Sequence, residues 1–346
     1  MSENHRYFFL DSSRGLAAFV VLLAHTIKTF APDFFYSPLN ILWDSEAAVL
    51  YFFILSGFVL TESIKNIPLS PVSYFNFTVK RILRIYPAFI VILLSAFFLF
   101  PLFHGIDSGW LQEYWKKIPV FMDVIMQSLL FIRIPNDPSL RLLPHDWTLS
   151  IEILISVALP FLGWLSKRLS WLILILIFAM VKILPIDSFI FDFALGCIIA
   201  TQKDFLITVW KRINFLGHAF ILFLGLSLIN LDQILSLSSK HLDFYLIHFK
   251  SLGLILLLFA LISSIRIQNL FTNKFLTFHG KISYSYYLIH FILIAILFKS
   301  APELNFLPAF FLVFSGTFIL SILMYFMIEK PCILVGKKYF SNKKVQ

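Results

Sequence analysis

The sequence predicts an all-α membrane protein, a polytopic bundle of about ten transmembrane helices, and three observations support that prediction. Hydrophobic residues make up 59% of the 346 residues, and charged residues make up only 14%. A soluble domain carries about 25% charged residues, so this chain cannot cover itself with a surface that water tolerates. The apolar residues also fall in long runs, and the mean hydropathy is +0.87. Disorder, a coiled coil and a soluble α/β enzyme are therefore excluded.

About ten segments are apolar enough to cross a bilayer, which takes about 20 residues for about 30 Å of hydrocarbon. The segment 188–201 is short and contains Asp192. The stretch 118–134 is also apolar, but Asp123 and other polar residues interrupt it, so it is either an eleventh span or a helix on the outer surface. The predicted spans lie near residues 12–30, 46–63, 85–103, 147–165, 169–186, 188–201, 215–231, 249–265, 282–299 and 306–328.

The positions of the basic residues decide between those two alternatives, because Lys and Arg concentrate on the cytoplasmic side. If 104–146 stays outside, most of the 28 Lys and Arg residues fall on inner segments. Making 118–134 a span would place Lys203 and its neighbours outside. We therefore predict ten spans with both termini in the cytoplasm. The same rule explains the net charge of +9. Membrane lipids are the expected surroundings, and no nucleic acid is expected as a partner.

The chain is predicted to be one membrane domain over residues 1–346, with no appended soluble domain. No repeat or Gly/Ser-rich linker divides it. The first apolar segment carries Arg14 and His25 and lacks a small-residue cleavage pattern, so we interpret it as a permanent span and not as a cleaved signal peptide. Cys197 and Cys332 lack the spacing of metal ligands, and no metal site is expected.

The first span contains the first candidate site residues, Arg14 and His25. They are eleven residues apart, so they share one helix face and are separated by about 16 Å along the axis. Ionisable groups inside a span are costly and indicate function. Taken singly, Arg14 is also compatible with an anchor at the cytosolic boundary, and His25 with a hydrogen bond between helices.

Arg81 and Arg84 lie at the cytosolic start of the third span. Their i, i+3 spacing places the two guanidinium groups side by side, which suits the binding of phosphates. The alternative is that both residues only fix the orientation of the span.

Glu152 follows the point where the fourth span enters from outside, marked by Trp147. Counting from Trp147, Glu152 lies about five residues deep, at the depth expected for His25. A buried carboxylate needs a partner, and an imidazole would provide one. We therefore predict a contact between Glu152 and His25, either catalytic or purely structural.

Two weaker features concern the second and ninth spans. Ser56 and Gly57 place small residues in mid-span, which favours close helix packing. His290 either lines the same cavity as His25 or is a satisfied core histidine.

In order along the chain, these motifs resemble the acyltransferase-3 family of integral membrane O-acyltransferases, which modify surface polysaccharides. The resemblance runs from residue 11 to residue 331. Some relatives carry an extra extracytoplasmic hydrolase-like domain, which is not expected here; handling of the acceptor then falls to the membrane domain or to a separate partner. The matching motifs are Arg-x10-His, Phe-Phe-x-Leu-Ser-Gly-Phe, Arg-x-x-Arg-x-Tyr-Pro, Trp-Thr-Leu-Ser-x-Glu, Ser-Tyr-Ser-x-Tyr-Leu-Ile-His and Glu329-Lys330-Pro331.

The resemblance implies transfer of an acyl group, expected to be acetyl, from cytosolic acetyl-CoA to a hydroxyl of a lipid-linked or surface polysaccharide. The expected location is the inner membrane of a bacterial cell. Arg14, Arg81 and Arg84 would then hold the phosphates of coenzyme A. His25 would act as general base with Glu152 orienting its imidazole. An acyl-histidine intermediate is an open alternative.

The competing interpretation is a transporter or flippase that moves an acyl group or a lipid-linked sugar without chemistry. Transporters often show interrupted helices in repeated halves. This sequence shows no such repeat, and its candidate polar groups cluster in the first half of the chain. Both observations favour the enzyme.

Overall fold

The computed structural model describes residues 7–65, 67, 70–106, 109–129, 141–169, 172–183, 188–235 and 240–340. These residues form helices and no strand. The α-helices are α1 (Phe8–Phe30), α2 (Pro32–Phe35), α3 (Ser45–Ile64), α4 (Pro71–Leu99), α5 (Phe121–Ser128), α6 (Asp146–Leu169), α7 (Leu172–Ile183), α8 (Phe189–Thr201), α9 (Lys203–Arg212), α10 (Phe215–Ile229), α11 (Leu231–Ile234), α12 (Lys240–Ser263), α13 (Ile265–Leu270), α14 (Lys274–Ser300), α15 (Phe306–Met324) and α16 (Lys330–Tyr339).

Seven helical segments of the described chain are long and apolar enough to cross a membrane. They confirm the prediction of an all-α, multi-pass membrane protein. The count of ten and the cytoplasmic termini stay predictions. The seven segments are Phe8–Phe30, Pro38–Ile64, Pro71–Leu102, Asp146–Ser166, Tyr245–Ser263, Lys274–Ser300 and Phe306–Tyr339. Shorter apolar helices at Leu174–Ile183, Phe189–Thr201 and Phe215–Ile229 coincide with the remaining predicted spans.

The largest difference in boundaries is at the third predicted span, where α4 begins at Pro71 and not at 85. The Ser70 side chain accepts a hydrogen bond from the Ser73 backbone N–H, and Pro71 occupies the first helical turn, as at many helix starts. Hydropathy identifies the part of the chain that lies in the hydrocarbon, whereas backbone hydrogen bonding defines where the helix begins and ends. The two boundaries therefore differ wherever a helix continues beyond the lipid, and Arg81 and Arg84 lie well inside this helix.

The ambiguous stretch 118–134 contains the eight-residue helix α5, Phe121–Ser128. Eight residues rise about 12 Å, far less than the hydrocarbon thickness of about 30 Å. The described part of the stretch is therefore not a span, in agreement with the prediction. Residues 130–134 lie outside the described residues.

The chain forms two compact units that interleave along the sequence, with α1, α6 and α14 each contributing to both. The prediction of a single domain stays a prediction. The first unit comprises Met1–Ala17, Asp44–Asn66 and Ala158–Lys281, and the second comprises Ala18–Trp43, Ile67–Val157 and Ile282–Gln346.

In the first unit, α3 and α8 pack backbone to backbone at two glycines. A Cβ atom on Gly57 would lie 2.2 Å from the Phe193 carbonyl oxygen, and one on Gly196 would lie 2.0 Å from the Ile54 carbonyl oxygen. Only a residue without a side chain fits at either position. The prediction of close helix packing around Gly57 is confirmed.

The predicted outer position of 104–146 can be tested by cysteine labelling in a Cys332→Ser background, in which Cys197 is buried. We expect Gln112→Cys to react with a membrane-impermeant maleimide added to intact cells, because Gln112 is exposed on that segment. Asp204→Cys, on a segment predicted to be cytoplasmic, should react only after permeabilisation. Labelling of Asp204→Cys alone in intact cells would invert the topology.

Candidate active site

His25 on α1 is paired with His290 on α14. Nδ1 of His25 lies 3.0 Å from Nε2 of His290, and the rings are stacked with centroids 5.2 Å apart. Nδ1 of His290 lies 2.7 Å from the backbone carbonyl oxygen of Tyr287, one turn earlier on α14. The two imidazoles and this carbonyl thus form one hydrogen-bonded chain.

The Tyr287 carbonyl, at the end of this series of hydrogen bonds, determines the tautomer of both neutral rings. A carbonyl oxygen can only accept, so Nδ1 of His290 carries the hydrogen and Nε2 of His290 is an acceptor. Nδ1 of His25 must then donate, which leaves the lone pair of His25 on Nε2. The arrangement prepares His25 to accept a proton at Nε2.

The two rings differ in their access to the surroundings. His290 is 1% exposed, whereas His25 is only half-buried. Within the described part of the chain, Nε2 of His25 has no hydrogen-bond partner and is not one of the fully enclosed polar atoms. His25 is therefore the member of the pair that a substrate can reach, and His290 lies behind it.

A third histidine, His145, lies directly before α6 and packs against the same group of rings. Its ring centroid is 5.5 Å from that of His290 and 5.6 Å from that of Phe291. Neither ring nitrogen of His145 has a hydrogen-bond partner among the described residues; it interacts with the Leu288 backbone outside hydrogen-bond geometry. His145 thus belongs to the histidine cluster, which we define as His25, His145 and His290.

Aromatic side chains from the segment 109–115 cover the histidine cluster. The Trp110 ring lies 5.4 Å from His25, and its Nε1 donates to Oγ1 of Thr29 over 3.1 Å. Trp110 and Trp115 both contact Phe291, at 5.3 and 5.8 Å. Trp110 therefore packs on His25, and both tryptophans pack on Phe291, the residue next to His290.

Arg81 on α4 is paired with Glu152 on α6. Nη2 of Arg81 donates to Oε1 of Glu152 over 2.5 Å and to Oγ of Ser156 over 3.1 Å. The side chains are only 12% and 24% exposed. The predicted contact between Glu152 and His25 is therefore wrong, because the carboxylate pairs with Arg81 and the imidazole with His290.

The error arose from the depth assigned to Trp147. His145, two residues before Trp147, already lies level with His290, so the start of α6 lies as deep as His25. Glu152 follows His145 by seven residues, which places it about 10 Å further along the helix. The carboxylate lies about two turns beyond the histidines, within reach of α4.

A second carboxylate accompanies this pair. Glu329, 3% exposed, accepts a hydrogen bond from the Ser285 hydroxyl on α14. It ends the π-helical turn Tyr325–Glu329, a local widening of the helix that often marks a functional site. Arg84 is half-buried and within electrostatic reach of Glu329. We call Arg81, Arg84, Glu152 and Glu329 the arginine–carboxylate cluster.

Helix α14 fixes the distance between the two clusters. The Tyr284 hydroxyl donates to the backbone carbonyl of Ile85, next to Arg84, over 2.8 Å. His290 lies six residues later on the same helix, about 9 Å along its axis. The spacing between His145, directly before α6, and Glu152 on α6 gives about the same distance. The two clusters are therefore separated by about 10 Å and joined by two helices.

Arg14 belongs to the first unit, on the N-terminal part of α1. Its Nη1 lies 3.6 Å from Oδ1 of Asp11. Helix α1 runs without interruption through Arg14 and His25, as the eleven-residue spacing requires.

The sequence analysis left the role of His290 open and did not single out His145. The Ser-Tyr-Ser-x-Tyr-Leu-Ile-His motif contained a usable signal, because Tyr287, His290 and Phe291 share one face at i, i+3 and i+4. For His145, its place directly before the fourth span was the available signal. Among the described residues, no group of three or more His, Cys, Asp or Glu side chains could hold a metal ion.

Comparison with known proteins gives one match. A family model described as an acyltransferase domain matches residues 7–326 of the 346. No curated protein and no solved structure matches the chain.

The pairing of Arg81 with Glu152 predicts how the two positions depend on each other. Arg81→Ala leaves a largely buried carboxylate without its partner, and we expect a loss of about 1–3 kcal/mol in the free energy of unfolding. Adding Glu152→Gln should recover part of that loss, because it removes the unpaired charge. Thermal denaturation of the detergent-solubilised variants measures both effects. Strictly additive losses would show that the two side chains do not interact.

Proposed function

The chain belongs to the acyltransferase-3 family, and on that premise we propose that it moves an acetyl group from cytosolic acetyl-CoA to a hydroxyl of a lipid-linked or surface polysaccharide. Family and fold make it a multi-pass membrane acyltransferase. The donor, the acceptor and a bacterial inner membrane belong to the proposal. Its main support is His25, whose imidazole is fixed at Nδ1 by His290 and reachable at Nε2.

In the proposed reaction, Nε2 of His25 takes the proton of the acceptor hydroxyl as its oxygen attacks the thioester carbonyl. The C–O bond forms, the tetrahedral intermediate collapses, and the C–S bond breaks. The proton then passes from the imidazolium to the departing thiolate. The products are the acetyl ester and coenzyme A, and no other reactant is needed. Direct attack by Nε2, giving an acyl-histidine, uses the same lone pair and remains the alternative.

His290 takes the orienting role that the sequence analysis gave to Glu152. It holds the Nδ1–H of His25 in place and directs Nε2 toward the accessible side, as the third member of a catalytic triad does. His290 is a positioning residue in this proposal. Glu152 instead holds Arg81 at the other cluster.

The arginine–carboxylate cluster is the proposed site for the donor's phosphates. Arg84 has more freedom for this role than Arg81, whose guanidinium is already bound to Glu152. The pantetheine arm of coenzyme A is longer than the distance of about 10 Å between the clusters. Phosphates held near Arg84 would therefore leave enough arm for the thioester to reach His25. The proposed contribution of Arg14 rests on the sequence alone.

Membership of an acyltransferase family favours the enzyme over the transporter alternative, because a flippase needs no acyltransferase domain. The proposal is tested on the surface glycan of a strain that lacks the gene. Mass and NMR spectra should lose an acetyl ester that the wild-type gene restores and a stably inserted His25→Ala variant does not. Restoration of the ester by His25→Ala would rule out the assigned base.

We expect His290→Ala to lower the rate of transfer on the order of 100-fold or more, because His25 loses the group that fixes its tautomer. The double variant His25→Ala/His290→Ala should be no slower than His25→Ala, since both residues act through one lone pair. Glu152→Gln serves as the comparison and should retain more activity than His290→Ala. A wild-type rate in His290→Ala would contradict the positioning role.

Arg84→Ala should raise the KM for acetyl-CoA about tenfold with a smaller change in kcat, because a charge-assisted bond to phosphate contributes about 1.5–3 kcal/mol. Arg84→Lys should recover only part of the lost affinity for acetyl-CoA, since an ammonium cannot form a bidentate contact. Arg168→Ala, at an exposed arginine that belongs to neither cluster, is the control. Equal KM values in Arg84→Ala and Arg168→Ala would remove Arg84 from the donor site.

A further inference from the structure

The segment 109–115 places an indole beside the reacting histidine and keeps part of it accessible. Trp110 is half-buried. It contacts α1 through the His25 ring at 5.4 Å, the Lys28 ammonium at 4.6 Å from the ring centroid, and the Thr29 hydroxyl at 3.1 Å from Nε1. Positions 25, 28 and 29 form one surface of a helix. The indole therefore lies on α1, and its remaining accessible surface faces away from that helix.

The segment is held in this position by its last residue. Trp115 is 1% exposed and donates from Nε1 to the Leu142 carbonyl oxygen over 3.1 Å. Its own carbonyl oxygen lies 2.8 Å from Nδ1 of His104. Its φ of 56° lies in the left-handed region, which a bulky residue adopts only where its surroundings hold it there. Trp110 is thus a fixed surface beside His25.

Hydrogen-bonding groups surround this indole. Lys28 and the exposed Glu113 lie within electrostatic reach of each other. The Tyr114 ring lies 6.2 Å from that of Trp110. Burial, reinforced by the charge of Glu113, raises the pKa of Tyr114, so its hydroxyl remains a donor at neutral pH. Around one aromatic surface, the molecule presents a cation, a carboxylate and a phenol.

This combination fits a sugar better than an acyl chain. The C–H face of a pyranose ring is apolar and packs on an indole, while its hydroxyls both donate and accept at the rim. Small-ligand sites in general combine aromatic walls with a few placed polar groups. An acyl chain would place hydrocarbon against the polar groups of Lys28, Glu113 and Tyr114, at a desolvation cost, whereas sugar hydroxyls can hydrogen-bond to them.

We propose that Trp110, with Lys28, Glu113 and Tyr114, is the subsite for the acceptor sugar, and that it directs one sugar hydroxyl past the indole edge to Nε2 of His25. This inference rests on the proposed function, since it assigns the acceptor to a place beside the assigned base. Trp110 is then a specificity-determining residue that contacts the substrate.

The test measures sugar binding apart from chemistry. The probe is the surface glycan purified from the strain that lacks the gene, labelled with a fluorophore at its reducing end. Its Kd is measured on His25→Ala protein in nanodiscs. We expect Trp110→Ala to raise the Kd at least tenfold and Trp110→Phe to raise it two- to threefold. Tyr36→Ala, at an aromatic residue that is 74% exposed and packs on Phe35, should leave it unchanged.

An unchanged Kd in Trp110→Ala would overturn the subsite, and so would an equal weakening by Tyr36→Ala, which would indicate a general effect of surface aromatics. The separate effects on kcat and on the KM for the glycan, measured with His25 intact, provide the second readout. Trp110→Ala should raise the KM for the glycan by a larger factor than it lowers kcat. A loss confined to kcat would show that Trp110 acts through His25 and not on the sugar.

The same measurements separate this inference from the proposed function. Wild-type protein that binds the glycan through Trp110 but transfers no acetyl group would contradict the proposed reaction and support the subsite. Protein that transfers acetyl groups with an unchanged glycan KM in Trp110→Ala would support the reaction and refute the subsite.

Discussion

The requirement that governs this structure is that polar groups inside a membrane protein must find partners within the protein, because the hydrocarbon offers none. The second unit satisfies it by pairing across helices. Arg81 on α4 binds Glu152 on α6, and Ser285 on α14 donates to Glu329. Each pair offsets the desolvation cost of its polar side chains and also joins two helices. Of the four ring nitrogens of His25 and His290, Nε2 of His25 has no hydrogen-bond partner among the described residues. A polar atom left unpartnered inside a membrane protein is a candidate for a reactive group.

The distance between the clusters depends on helix rise and not on loops. His145 directly precedes α6, which carries Glu152. Helix α14 carries both His290 and Tyr284, which binds the Ile85 carbonyl next to Arg84. Two independent helices give nearly the same value, about 10 Å. A donor anchored at one cluster and reacting at the other therefore meets a fixed spacing, which is the geometric condition for efficient transfer within a bound complex.

Sequence reasoning predicted an all-α, multi-pass membrane protein correctly, because hydrocarbon thickness imposes a run length that the sequence shows directly. It also singled out His25, Arg81 and Glu152 as candidates, since ionisable groups in apolar runs are conspicuous. It did not find their partners. Spacing along a helix fixes axial distance and face, but pairing also depends on how deep each helix starts and which neighbour it meets. An error of two turns at Trp147 was enough to assign Glu152 to His25, while His290 lay too far along the sequence for any local pattern to connect it.

His25 is paired with a neutral residue, His290, and this affects the proposed chemistry. A carboxylate at Nδ1 would stabilise the imidazolium, but it would also place a second charge in an apolar cluster and hold the proton that the leaving thiolate needs. His290, tied to the Tyr287 carbonyl, fixes the same tautomer without adding charge. Thiolate is a far better leaving group than an amine and needs less protonation to depart. A base that takes a proton briefly and releases it readily is therefore better suited to a thioester donor than the charge-stabilised histidine that an amide substrate requires.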